Sequence, residues 1–133
     1  MDIQPAYIVE DLEDQRVLIG LYLNKFLPEV PVVIFESAQA LFIKMKEPHL
    51  PHNRPFVIVL DLNMPDMNGY QALRLLKQIS EPDFIWWQSV PVAMTSVLVT
   101  KEEVEESRRL GSIAFLNKSP DLQALMNLLK DMQ

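Results

Sequence analysis

Three carboxylates stand directly after short apolar runs: Glu10 and Asp11 follow residues 6–9, and Asp61 follows residues 56–60. Two further runs of the same kind end in Thr95-Ser96 and in Asn117-Lys118. If these runs are neighbouring strands, all four endings share one rim. Carboxylates so close repel, and the repulsion is relieved by proton uptake or by a hard cation with oxygen ligands, for which Mg2+ is the economical choice. A strand-end Lys118 would act as a point charge on anionic oxygens held there. Three carboxylates, a hydroxyl and an ammonium suit phosphoryl transfer, where positioning and charge neutralisation do most of the catalysis. Each residue also has an ordinary reading, because a strand-end acid can simply cap the next helix and a lone lysine is usually a solvated charge.

The elements that would position these groups can be read from periodicity. Residues 6–9, 30–35, 56–60, 90–94 and 113–116 are apolar almost throughout and rich in Val, Ile or Phe, as in strands covered on both faces of a parallel sheet. Between them lie helical stripes. Val17, Leu18, Leu21, Tyr22 and Phe26 mark the first, stopped by Pro28. Ser37 caps the second, with Leu41, Phe42 and Met45 before Pro48. Ala72, Leu73, Leu76 and Ile79 form the third. Thr100 and Glu103 have capping-box spacing at the fourth, which Gly111 closes. Ser119, with Pro120 in the first helical position, is expected to open the last, striped by Leu122, Leu125, Met126 and Leu129. Five alternations predict a doubly wound α/β fold with a parallel five-stranded sheet, helices on both faces and strand order 2-1-3-4-5. That order sets the first and third strands side by side, which brings Glu10, Asp11 and Asp61 together.

Composition narrows the function classes. A chain of 133 residues, 49% hydrophobic and 23% charged, is sized for one domain over 1–133 and is not disordered. A net charge of -6 disfavours nucleic acid, and the absence of cysteine excludes disulfides and thiolate metal sites. No apolar run approaches the roughly 18 residues of a membrane span, and the acidic N-terminus does not read as a secretory signal, so a cytoplasmic protein is expected.

From position 7 to about position 130 the sequence resembles the receiver domain of two-component response regulators. The most specific segment is residues 59–69, Val-Leu-Asp-Leu-Asn-Met-Pro-Asp-Met-Asn-Gly, which follows the family's phosphoacceptor signature. The resemblance implies a flavodoxin-like fold with Asp61 as phosphoacceptor. It implies Mg2+ held by Asp11, Asp61 and the backbone carbonyl of Asn63, with Glu10 acting mainly through water. Thr95 matches the switch hydroxyl, Lys118 the lysine that pairs with the phosphoryl group, and Phe115 the aromatic switch position. Implied partners are a histidine kinase or histidine phosphotransfer protein, and a downstream protein or second copy bound through helix 4, strand 5 and helix 5. Residues 46–55 and 80–90 look long, as in single-domain, chemotaxis-regulator-like receivers paired with phytochrome-type kinases. One departure stands out: the family lysine usually precedes a cis proline, whereas here the order is Lys118-Ser119-Pro120. Either a non-proline cis bond, costing about 2.5 to 4 kcal/mol, is retained or the loop differs.

A stand-alone signalling module is the expected function. Its rival is an Mg2+-dependent phosphohydrolase with Asp61 as covalent nucleophile, although Asn63 places an amide where related phosphatases carry an acid. Smaller signals are Trp86-Trp87, either a partner surface or a pair folded back over the domain, and His49 and His52, a poor metal pair.

Overall fold

The computed structural model describes residues 4–47 and 53–132. Strands and helices alternate as β1 (Ala6–Val9), α1 (Glu13–Phe26), β2 (Val32–Phe35), α2 (Ala38–Met45), β3 (Val57–Asp61), α3 (Gly69–Lys77), β4 (Val92–Ser96), α4 (Lys101–Arg109), β5 (Ala114–Asn117) and α5 (Gln123–Asp131). A short 3-10 turn, Ile85–Ser89, precedes β4. The strands form one sheet of order β2-β1-β3-β4-β5, and every pairing is parallel. The doubly wound, five-stranded architecture expected from the sequence is therefore present.

Alternation along the strands divides the core in two. Tyr7, Val9, Ile58, Leu60, Val92 and Met94 face α2 and α3, and Ala6, Ile8, Val57, Val59 and Ala93 face α1 and α5. Both faces are covered, so β1, β3 and β4 are buried throughout. That is why these strands read as unbroken apolar runs rather than alternating ones.

Several boundaries differ from expectation. Strands β3, β4 and β5 run one or two residues further than their apolar runs, so Asp61, Thr95, Ser96 and Asn117 lie within strands. A polar residue at a strand end is invisible to an apolar pattern, although its backbone still completes the ladder. In α1 the buried residues are Ile19 and Leu23, whereas Val17, Leu21 and Phe26 are exposed. Leu18 and Tyr22 do pack against the core, so this helix is apolar on more than one side and periodicity selected the buried stripe only in part. A groove of about 600 Å³ between α1 and α5 includes Leu21 and Phe26.

The start of α5 is also corrected. Residues 119–122 make a turn closed by the Leu122 N–H donating to the Ser119 carbonyl (3.1 Å), with Pro120 at its second position. The helix begins only at Gln123, after Leu122 in a left-handed conformation (φ 51°). No cis peptide bond occurs among the described residues, so the loop after β5 differs from the family pattern.

Trp87 is fully buried, stacked on Trp86 at 4.2 Å and tilted against Tyr7 at 6.1 Å, with the Arg54 guanidinium 4.5 Å over Trp86. The pair folds back over the domain, with Trp87 inside the core and Trp86 half-buried against it. His49 and His52 lie outside the described residues.

Candidate functional site

Four rows of side chains on the α1/α5 face of the sheet run past its carboxyl edge. Ala6 and Ile8 lead to Glu10, Val57 and Val59 to Asp61, Ala93 to Thr95, and Ala114 and Leu116 to Lys118. The two-residue period of a strand makes an apolar row continue as the polar rim of the same face. Register does the rest: Asp61 stands opposite Thr95, and Thr95 opposite Leu116.

At the rim, the Lys118 ammonium lies 2.6 Å from Glu10 Oε1 and 2.9 Å from Asp61 Oδ2. All three side chains are largely buried, with 13% of Lys118, 2% of Glu10 and 3% of Asp61 exposed. One ammonium thus holds two carboxylates in a partly dry pocket, where the pairing is far less screened than at the surface. The other Asp61 oxygen, Oδ1, accepts from the Asn63 backbone N–H at 3.1 Å. Burial pushes the Asp61 carboxyl up to about 7, with the neighbouring Glu10 adding to burial and Lys118 opposing both. Burial alone would lower the Lys118 ammonium, but its hydrogen bonds to Glu10 and Asp61 win and raise it.

Asp11 completes the acidic group. Oxygens of Glu10, Asp11 and Asp61 lie within 4.8 Å of one another. Asp11 Oδ1 is buried and has no hydrogen-bond partner, an arrangement that costs free energy unless something supplies the missing interaction. Three carboxylates against one ammonium leave a net negative pocket of oxygen donors. That donor set fits a hard divalent cation such as Mg2+ and is unsuited to soft metals.

The turn after β3 is built to approach closely. Asp66 takes a left-handed conformation (φ 66°), and Asn68 and Gln71 form a capping box at the start of α3. The Gly69 N–H donates to the Leu62 carbonyl at 3.0 Å. A Cβ on Gly69 would lie 2.7 Å from the Asp61 carbonyl oxygen and 2.6 Å from Met94 Cε, so only glycine lets α3 begin this near the carboxylate.

The structure brings Glu10, Asp11, Asp61, Thr95 and Lys118 to one rim. Asn63 occupies the exposed turn directly beyond β3, with its side-chain amide donating to Ser96 Oγ at 3.2 Å. Phe115 is placed differently from the others. It packs half-buried on the opposite face of the sheet, in register with Met94, so it is not part of the acidic pocket.

Sequence reasoning missed Gln15 and Arg16, and gave Ser96 no role beyond its place at the rim. Ser96 bridges Asn63 to the β4–α4 loop by donating to the Leu98 carbonyl at 3.0 Å. Gln15 lines a void of about 20 Å³ beneath Lys118, shared with Thr95 and Asn117. Arg16 donates to the carbonyls of Glu10 and Asp11. A cation in the first turn after an acidic pair was the available signal for Arg16, whereas the other two depend on tertiary packing.

Residues 6–130 match the model of the family described as response regulator receiver domain. Among curated proteins, sporulation initiation phosphotransferase F of Bacillus subtilis is 27% identical over 126 residues, covering 92% of this chain and 88% of its own. A protein-glutamate methylesterase/protein-glutamine glutaminase of Methanococcoides burtonii is 34% identical over 77 residues, 56% of this chain. The chain spans only 20% of that enzyme's length, and 18% of its counterpart from Archaeoglobus fulgidus. Among solved structures, the Vibrio cholerae chemotaxis protein CheY4 superposes with a TM-score of 0.78 at 18% identity, covering 99% of this chain and 100% of its own. The Mn(2+)-bound form of response regulator Rcp1 gives 0.71 at 24% identity, covering 97% and 91%. Rcp1 is a protein of Synechocystis. With the strand order and the acidic rim already in place, this match over nearly the whole chain settles the family: the protein belongs to the response regulator receiver domains.

Proposed function

We propose that this chain is a receiver domain acting in the cytoplasm, which accepts a phosphoryl group on Asp61 from a histidine kinase or histidine phosphotransfer protein. The observation that carries the proposal is the single Lys118 ammonium shared by Asp61 and Glu10, beside an Asp11 oxygen with no partner. Asp61 is oriented before any donor arrives, because Asn63 N–H holds Oδ1 and Lys118 holds Oδ2. In the transfer, a carboxylate oxygen of Asp61 attacks phosphorus and the phosphorus–nitrogen bond of the donor histidine breaks. The imidazole leaves with the electron pair and the product is an acyl phosphate. Glu10, Asp11, Asp61 and the Asn63 backbone carbonyl would hold Mg2+, which when bound neutralises charge on the transferring oxygens.

Lys118 and Thr95 line the same rim, so both can turn to the new phosphoryl oxygens. Lys118 would exchange the Asp61 carboxylate for a more highly charged partner. That exchange loads the ends of β4 and β5, and Phe115 on the opposite face is the side chain through which repacking would reach α4. The signal would leave through the surface of α4, β5 and α5, to a downstream protein or a second copy. The phosphohydrolase reading is weaker. Asn63 carries an amide committed to Ser96, so it supplies no acid for turnover of an external substrate. We therefore regard the chain as a signalling domain whose chemistry is confined to its own phosphorylation.

Incubation with a small phosphodonor and Mg2+, followed by intact-mass measurement, tests this. One added phosphoryl group is expected, dependent on Mg2+ and lost in Asp61→Asn. An adduct formed equally well by Asp61→Asn would refute the assignment.

A further inference from the structure

The acidic pair sits on a crossover that one residue holds in place. Beyond Val9 the chain leaves β1, and the carbonyls of residues 10–12 point away from the ladder into the start of α1. Arg16 takes all three. Its Nη1 donates to the Glu10 carbonyl at 3.0 Å and to the Asp11 carbonyl at 2.8 Å, and its backbone N–H donates to the Leu12 carbonyl at 3.0 Å. From the other side, the Glu10 N–H donates to the Phe35 carbonyl at 2.9 Å and the Leu12 N–H to Glu10 Oε2 at 3.3 Å.

What Arg16 leaves alone is as informative as what it binds. Nη1 spends its two hydrogens on carbonyls, not on carboxylates, so a full positive charge lies behind the acidic pair without occupying its lone pairs. Asp11 Oδ1 remains buried and unpartnered. We propose that Arg16 is a positioning residue for the metal ligands. Its side chain fixes the backbone of residues 10 and 11 so that the carboxylates of Glu10 and Asp11 converge with Asp61 before the cation arrives. The proposal rests on the Mg2+ site described above.

Charge and position predict opposite signs here. A guanidinium repels Mg2+, so by charge alone its removal tightens binding. If the residue positions the ligands, removal weakens binding, and groups of this outer kind typically set metal affinity by about 10- to 100-fold.

The test uses the full chain with Arg16→Met and Arg16→Lys, Mg2+ affinity by titration calorimetry well below the melting temperature, and backbone amide hydrogen exchange in EDTA. Arg16→Met is expected to weaken Mg2+ by at least tenfold and to speed exchange at the amides of Asp11 and Leu12. Arg16→Lys, which keeps the charge and can reach the carbonyls with fewer constraints, is expected to fall between it and wild type. Should Arg16→Met not fold, Arg16→Lys carries the same comparison with a smaller loss. Unchanged or tighter binding in a folded variant overturns the proposal. If wild type itself binds no Mg2+, the metal reading fails separately. Exchange in the variant then decides whether Arg16 holds the crossover, with unchanged rates refuting it.

Discussion

Replacing Asp61 with asparagine removes a charge that the fold pays to bury, so the variant should be the more stable protein when no metal is present. The carboxyl is raised from an ordinary 3.8 to about 7. Between those values the native state holds a proton that the unfolded chain has released, so native stability falls as pH rises through the window. Below about pH 4 both states are protonated and the group costs nothing. Above about pH 7 the full cost is present. A shift of this size has a ceiling of about 4 kcal/mol, at about 1.4 kcal/mol per pH unit. The pocket lies at the open rim of the sheet, and water there reduces this to about 1 to 2 kcal/mol. Asparagine keeps the shape and the oxygen that accepts from Asn63, while its amide nitrogen replaces the oxygen that Lys118 holds, so the ammonium keeps Glu10 alone as its partner. Urea denaturation of wild type and Asp61→Asn, in EDTA between pH 4 and pH 8, should show curves that nearly coincide at the acid end. They should separate by about 1 to 2 kcal/mol at pH 8, with the variant more stable. A variant less stable at pH 8, or a gap independent of pH, would refute the reasoning that burial dominates at Asp61.

Three other substitutions probe neighbouring claims. Lys118→Met strands two buried carboxylates, so it should cost about 3 kcal/mol at neutral pH by denaturant melts, and less at pH 5, where Asp61 holds its proton. Gly69→Ala forces its methyl against the Asp61 carbonyl and Met94, and should lose about 1 to 3 kcal/mol while slowing phosphoryl uptake measured by intact mass. Thr100→Ala removes the hydroxyl that accepts from the Glu103 N–H at 3.1 Å at the start of α4. It should cost about 1 kcal/mol in thermal melts yet leave Mg2+ affinity unchanged, because Thr100 lies outside the acidic pocket.

How far the residues announce this arrangement depends on which interactions set it. Buried parallel strands must be apolar on both faces, so β1 and β3 were visible as runs, and the acids that end them were visible as interruptions. The capping boxes differ in this respect: Thr100 and Glu103 are separated from the signature and read clearly, whereas Asn68 and Gln71 were hidden behind Gly69, whose role is steric. The stripe of α1 was read only in part: Leu18 and Tyr22 do meet the core, but Val17, Leu21 and Phe26 satisfy helical spacing as well as the buried Ile19 and Leu23 do. Spacing gives a period but not which side meets the sheet. At β5, Ser119 and Pro120 have the composition of a helix start, yet their local preference is met as well by a turn, and the turn forms. The links made by Arg16 and Ser96 join groups that only the folded crossover and strand ends bring together.

The central claim is that Asp61 receives the phosphoryl group, and chemical trapping at residue level tests it most directly. After incubation with a phosphodonor and Mg2+, borohydride reduces an acyl phosphate to an alcohol, so a phosphorylated aspartate is converted to homoserine and can be found by peptide mass spectrometry. The account predicts homoserine at position 61, with Glu10, Asp11 and Asp66 unmodified and no conversion when Mg2+ is withheld. Conversion at another acid, or none at position 61 despite a stable protein adduct, would contradict it.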